Sequence, residues 1–139
     1  MKDLMNRIHP NGARVATISD NTALQSGIVD MKGYDSLTFL IAAGTLADAD
    51  ATFAVTIAES NDSGMSGSNA VAAADLIGTT TLANFQFDDD NEPRKLGYKG
   101  SKRYVQLTVT PSNNTGSAPL AIIPVLGHPH LGPTANPPA

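Results

Sequence analysis

The chain has 139 residues, enough for one domain that buries roughly 70% of its unfolded surface on folding and too few for a two-domain enzyme. Charged residues make up 16% of it, against about 25% in ordinary globular proteins, and the formal net charge is -4. The surface is therefore expected to be largely neutral and polar, which argues against a nucleic-acid binder that works through a globally basic face. With no cysteine, a disulfide framework, a thiolate zinc site and a cysteine nucleophile are excluded.

The opening residues, Met1 to Arg7, lack the long apolar core of a signal peptide, and no stretch approaches the roughly 20 apolar residues of a membrane-spanning helix. No membrane partner is expected, and the protein is expected to be made and used in the cytosol or in a particle assembled there. Residues 1–12 mix charge with His9, Pro10, Asn11 and Gly12, of which Pro10 and the Asn11-Gly12 pair are turn formers, and read as an irregular arm. Two β-like segments follow, at 13–19 and 22–31, parted by the turn-favouring pair Asp20 and Asn21.

The stretch 35–43 alternates Leu37, Phe39 and Ile41 against Ser36, Thr38 and Leu40, which predicts a strand ending at Gly44. Residues 52–59 repeat the pattern through Phe53, Val55 and Ile57. These two strands either pair antiparallel or bridge two sheets. Residues 60–70 are nearly all small and polar and read as a long mobile loop. Residues 70–76 suit either one helical turn or a strand. A strand is predicted over 79–87, with Leu82, Phe85 and Phe87 as its apolar members. An acidic hairpin turn at 88–93 and a return strand at 94–98 follow.

The clearest strand is 102–110, where Val105, Leu107 and Val109 face inward and Tyr104, Gln106, Thr108 and Thr110 face outward. After a turn-rich loop at 111–117 comes an apolar strand at 119–126. Pro124 lacks an N–H and places that strand at a sheet edge or at a bulge. The tail from Gly127 holds four prolines in 13 residues and is expected to be extended and solvent-exposed. About seven or eight short strands without long helices describe an all-β fold. The expected form is an antiparallel β-sandwich, jelly-roll-like, as a single domain over 13–127 with extended arms at 1–12 and 128–139.

Candidate chemistry is sparse. His128 and His130 flank Pro129 and could chelate a metal, but two ligands without an acidic third make an incomplete site. No Gly-x-Ser-x-Gly elbow supports a serine nucleophile, and no Gly-x-Gly-x-x-Gly or Walker-type loop supports a nucleotide, so neither catalysis nor a cofactor is expected. The acidic run Asp88 to Glu92 offers hard oxygens that suit calcium, yet it lacks EF-hand spacing and reads as a solvated hairpin turn. Arg94, Lys95, Lys99, Lys102 and Arg103 stand beside it and point to ion pairs within the protein or between copies rather than to nucleic acid.

Several stretches resemble small proteins encoded in the head-structure modules of tailed phages and of alphaproteobacterial prophages. They are Met1 to Pro10, Ser36 to Ile41, Gly44 to Phe53, Arg94 to Tyr98, Ser101 to Val105, and the tail from Pro129 to Ala139. The resemblance spans most of the chain and implies a virion protein that decorates, or cements, the outside of a capsid. It implies the major capsid protein and further copies of the chain, as a homotrimer, as partners, a place on the capsid surface, and no catalytic residues. The arms are then the expected contacts, through Met1, Leu4, Met5, Arg7, Ile8 and His9 at one end and His130, Leu131, Pro133, Pro137 and Pro138 at the other. Proline-rich segments lose little entropy on ordering, and many weak contacts add by multivalency. The rival readings are a carbohydrate- or host-surface-binding sandwich, disfavoured by the absence of Trp, and a low-copy head-completion or tail-joining protein.

Overall fold

Alternating apolar residues need two opposed faces, and the computed structural model, which describes residues 2–138, supplies them as two six-stranded antiparallel sheets over one core. In chain order the strands are β1 (Ile8–Pro10), β2 (Arg14–Ile18), β3 (Leu24–Gln25), β4 (Val29–Asp30), β5 (Tyr34–Ala43) and β6 (Thr52–Ser60). They continue as β7 (Asn69–Ala70), β8 (Leu76–Ile77), β9 (Phe85–Gln86), β10 (Arg94–Tyr98), β11 (Tyr104–Ser112) and β12 (Ala118–Pro129). One helical turn, α1 (Thr80–Ala83), lies between β8 and β9.

The first sheet runs β1-β12-β5-β10-β8, with β2 also on β12, and the second runs β3-β11-β6-β7, with β4 also on β11 and β9 on β6. Phe39, Ile41, Leu96 and Ile122 from the first sheet are buried against Phe53, Val55, Leu107 and Val109 from the second. Each such side chain contributes about 1.5–3 kcal/mol by leaving water, which makes this interface the main source of stability. Phe53 and Phe85 stack within it at a centroid distance of 4.8 Å. Together these contacts make an all-β sandwich.

Both strands read most clearly in the sequence carry the inward residues assigned to them, and the 45–51 connection between β5 and β6 takes the chain from one sheet to the other. Asp48 pins that connection by accepting from the Thr115 amide and hydroxyl at 2.8 and 2.9 Å. Elsewhere tertiary contacts override the local pattern. The segment 22–31 is two short strands, not one, because Gly27 crosses Gly12 so closely that a Cβ on it would sit 2.8 Å from the Gly12 Cα. Ser26 fills the break, donating its amide to the Leu107 carbonyl at 2.9 Å while its hydroxyl accepts from the Leu107 amide at 3.1 Å.

Residues 79–87 are not a continuous strand. The Thr79 hydroxyl accepts from the Leu82 amide at 3.1 Å and caps α1, which leaves Leu82 exposed and only Phe85–Gln86 paired. Since β9 belongs to the second sheet and β10 to the first, the acidic segment 88–93 crosses between sheets and does not close a hairpin. The expected loop at 60–70 is tied by its own side chains, with Asp62 accepting from the Gly64 and Ser66 amides and Ser60 donating to the Ser66 carbonyl at 2.8 Å. It ends in β7. Residues 70–76 contain both readings, a 3-10 turn at Ala73–Asp75 and then β8.

Pro124 lies on an interior strand, contrary to the edge or bulge that its missing N–H predicts. It sits where the strand beside β12 changes from β2 to β1, and its carbonyl accepts from the Asn11 amide at 3.1 Å on that side. The absent donor therefore faces a gap between two partners, where no ladder bond is required.

Candidate functional site

The two outer faces of the sandwich differ in chemistry. On the second sheet, β6 and β11 place Thr56 beside Thr108 and Ala54 beside Thr110, a polar, threonine-rich surface. On the first sheet, β12 and β5 place Ala121 beside Ala42, Ile123 beside Leu40 and Val125 beside Thr38. Val15 on β2 and Ile77 on β8 extend this apolar surface to both sides and are 74% and 61% exposed. Among the described strand residues facing outward here, Lys95 is the one charged side chain, and none is a carboxylate, in a chain with 13 acidic residues. The outward face of the first sheet is thus more apolar than that of the second.

Two grooves cut this face and meet at Thr38. One, of about 380 Å³, runs beneath the 3-10 turn Met5–Arg7 and is lined by Leu4, Arg7, Ile8, Ser36, Val125 and His128 among others. The second, of about 490 Å³, lies between Ile77, Leu82 and Lys95.

The first groove is bounded by both termini, which the fold brings together. In the N-terminal segment, β1 pairs with the end of β12, aligning Ile8 with Gly127 and Pro10 with Val125. The tail then turns back over it. The Thr134 hydroxyl donates to the Ile8 carbonyl at 2.6 Å, and the Thr134 amide donates to the Asn6 carbonyl at 3.1 Å. The His130 amide donates to the Gly33 carbonyl at 2.9 Å and fastens the tail to the body.

All three histidines of the chain meet at this corner, on three consecutive residues of β5. The His9 ring stacks on Tyr34 at 5.4 Å, His130 Nε2 meets Asp35 Oδ1 at 2.7 Å, and His128 Nδ1 meets Ser36 Oγ at 2.9 Å. Gly127 permits the last contact, because a Cβ there would stand 2.7 Å from Ser36 Oγ. Ser36 and Asp35 are thus held by different histidines, and among the described residues these groups do not line up as a Ser-His-Asp relay.

Of the residues expected to meet a partner, Leu4, Arg7 and Ile8 line the groove, and Met5 is exposed beside it. His9 is 8% exposed, and its Nδ1 is buried without a hydrogen-bond partner among the described residues. His130 anchors the tail, while Leu131, Pro133, Pro137 and Pro138 are exposed and outside the groove. Met1 lies outside the described residues. The two arms are not independent extensions of a domain that spans 13–127, since β1 and the last residues of β12 belong to the first sheet. Sequence reasoning passed over Tyr34, Asp35, Ser36 and Thr134. The gathering of every histidine into the terminal segments was the one available sign.

The acidic segment is occupied with structural bonds. Asp89 pairs with Arg94 at 2.8 Å and accepts from the Gln86 amide, and Asp90 accepts from the Leu46 amide at 2.8 Å. Among the described residues no group of three His, Cys, Asp or Glu side chains could hold a metal ion, and no helix is long and apolar enough to cross a membrane. No protein-family model matches the chain, and no curated protein matches it.

Proposed function

We propose that this protein is a structural component of a tailed-phage virion that seats on the outside of the capsid and stabilises it, as a decoration or cement protein. One observation supports this reading above the rest. The terminal segments expected to touch the capsid lie together on the sheet whose outer face is apolar and free of carboxylates. The major capsid protein is the proposed partner, the resemblance extends the proposal to a homotrimer, and no reaction is ascribed to the chain. Burying such a face against a repeating lattice gives each copy a modest contact that the lattice multiplies.

The experiment is the copy number of this protein in purified particles, measured by quantitative mass spectrometry against the major capsid protein. On the order of hundreds of copies is the expected result, as lattice-wide multivalent attachment requires. A count near that of the portal would move the protein to head completion, and its absence from particles would overturn the reading.

A further inference from the structure

We infer that the tail around His130 and Thr134 is a latch that holds the N-terminal segment closed over the groove, so that the two termini open as one unit. The contacts form a single series. Gly33 and Asp35 hold His130, four residues later Thr134 holds Asn6 and Ile8, and those residues carry Leu4, Arg7 and Ile8 over Val125. Besides the tail, the N-terminal segment is fixed by the buried His9 ring on Tyr34, by the Gly27 amide on the Gly12 carbonyl and by a short strand pairing. Its pairing with β12 covers Ile8 to Pro10, extended by one bond from Asn11 to Pro124, and residues 5–7 form only a 3-10 turn with no buried residue. Thr134 is half-buried and commits both its amide and its hydroxyl to that segment.

A closed latch keeps Ile8 against the sheet and narrows access to Val125 and Thr38. An open one presents an apolar groove together with Leu4 and Met5, which are 61% and 63% exposed even when it is closed. Opening therefore regulates how much of the first sheet's outer face a partner reaches. Its consequence for attachment, though not the latch itself, rests on the capsid reading above.

The test is amide hydrogen exchange on the full chain carrying Thr134→Val or His130→Ala, both at surface positions away from the core. Thr134→Val removes the hydroxyl donor, and exchange of the amides in residues 7–11, those of Arg7, Ile8, His9 and Asn11, should quicken roughly three- to tenfold, the range that one hydrogen bond supports. His130→Ala removes the Asp35 contact while keeping the backbone bond to Gly33, and should also quicken these amides. Exchange at Leu107 serves as the control and should not change. If either variant leaves residues 7–11 at the parent rate while the tail's own amides quicken, the termini move independently and the latch is wrong. If both variants quicken residues 7–11 but neither they nor the parent bind purified capsids, the latch stands and the capsid reading falls. Faster capsid association by both variants than by the parent supports the regulatory consequence.

Discussion

The Tyr98 hydroxyl on β10 donates to Glu59 Oε2 on β6 at 2.6 Å, joining the two sheets through a polar contact at the margin of an apolar core. The same oxygen accepts from the Lys102 amide at 3.0 Å, so one phenol serves both sheets and the loop between β10 and β11. Burial, reinforced by the Glu59 carboxylate, raises the Tyr98 pKa well above that of a free phenol.

Replacing Tyr98 with Phe strands the Glu59 carboxylate and the Lys102 amide without their partner. The expected loss is about 1–3 kcal/mol in denaturant unfolding, with an unchanged fold by circular dichroism. Because the folded pKa is raised, the stability of this contact is fully present below the phenol's unfolded value near 10 and fades only as pH rises through the folded one. The difference between parent and Tyr98→Phe should thus be flat from neutral pH to about 9. A difference that collapses in that window would show that the phenol is not the donor.

Acid should act through Asp30. Its carboxyl is held below the usual 3.8 chiefly by the hydrogen bonds from Arg103, at 2.8 and 2.9 Å. A depressed folded value means that the stabilisation is present above the unfolded pKa and is lost as pH falls through the folded one. The side chains are 43% and 46% exposed, so solvent limits the contribution to about 1 kcal/mol or less. Asp30→Asn should lower the thermal midpoint at neutral pH, and its deficit should shrink toward zero as pH falls below about 4. A deficit that persists unchanged in acid would remove the ion pair as its cause.

Asn84 does the work of a missing strand. Its Oδ1 accepts from the Val55 amide at 2.8 Å, on the edge of β6 between the stretches paired with β9 and β7. Asn84→Ala leaves a buried N–H without an acceptor and should cost about 1–3 kcal/mol, whereas Asn84→Asp keeps the oxygen and should recover most of it. Equal losses in the two variants would assign the effect to packing instead.

The two outer faces should respond differently to the same charge. Leu40→Glu, at the centre of the first sheet's face, should change stability by no more than about 0.5 kcal/mol, since Leu40 is already 40% exposed. Its attachment to capsids should fall at least roughly tenfold, the effect of a hot-spot loss above about 1.4 kcal/mol. Thr56→Glu on the second sheet should attach like the parent. Loss in Thr56→Glu with retention in Leu40→Glu would place the contact on the wrong sheet.

The residues that were legible in sequence are those whose fate is decided by alternation. Phe39, Val55 and Leu107 each belong to a run of large apolar residues spaced at a period of two, and burying one face of such a segment leaves a single register. Of the strand expected over 79–87, residues 79–84 depart from it because a capping hydroxyl and a side-chain amide, Thr79 and Asn84, outweigh the β-propensity of the residues between them. Asp88 to Pro93 was misread because a turn's composition does not say whether the strands on either side share a sheet.

The surface followed the same division. Local composition already showed that the ends of the chain are proline- and histidine-bearing segments unable to form a core. It could not show that residues 8 and 127, 119 positions apart in the chain, are aligned in one sheet, nor that His9, His128 and His130 converge on Tyr34, Asp35 and Ser36. The amino-acid pattern alone determined an all-β sandwich and its inward residues, because hydrophobic periodicity is a property of neighbours in sequence. Which outer face is apolar, and that both termini close over it, depended on strand order. Strand order is set by the packing of distant segments, and only the tertiary structure decided it.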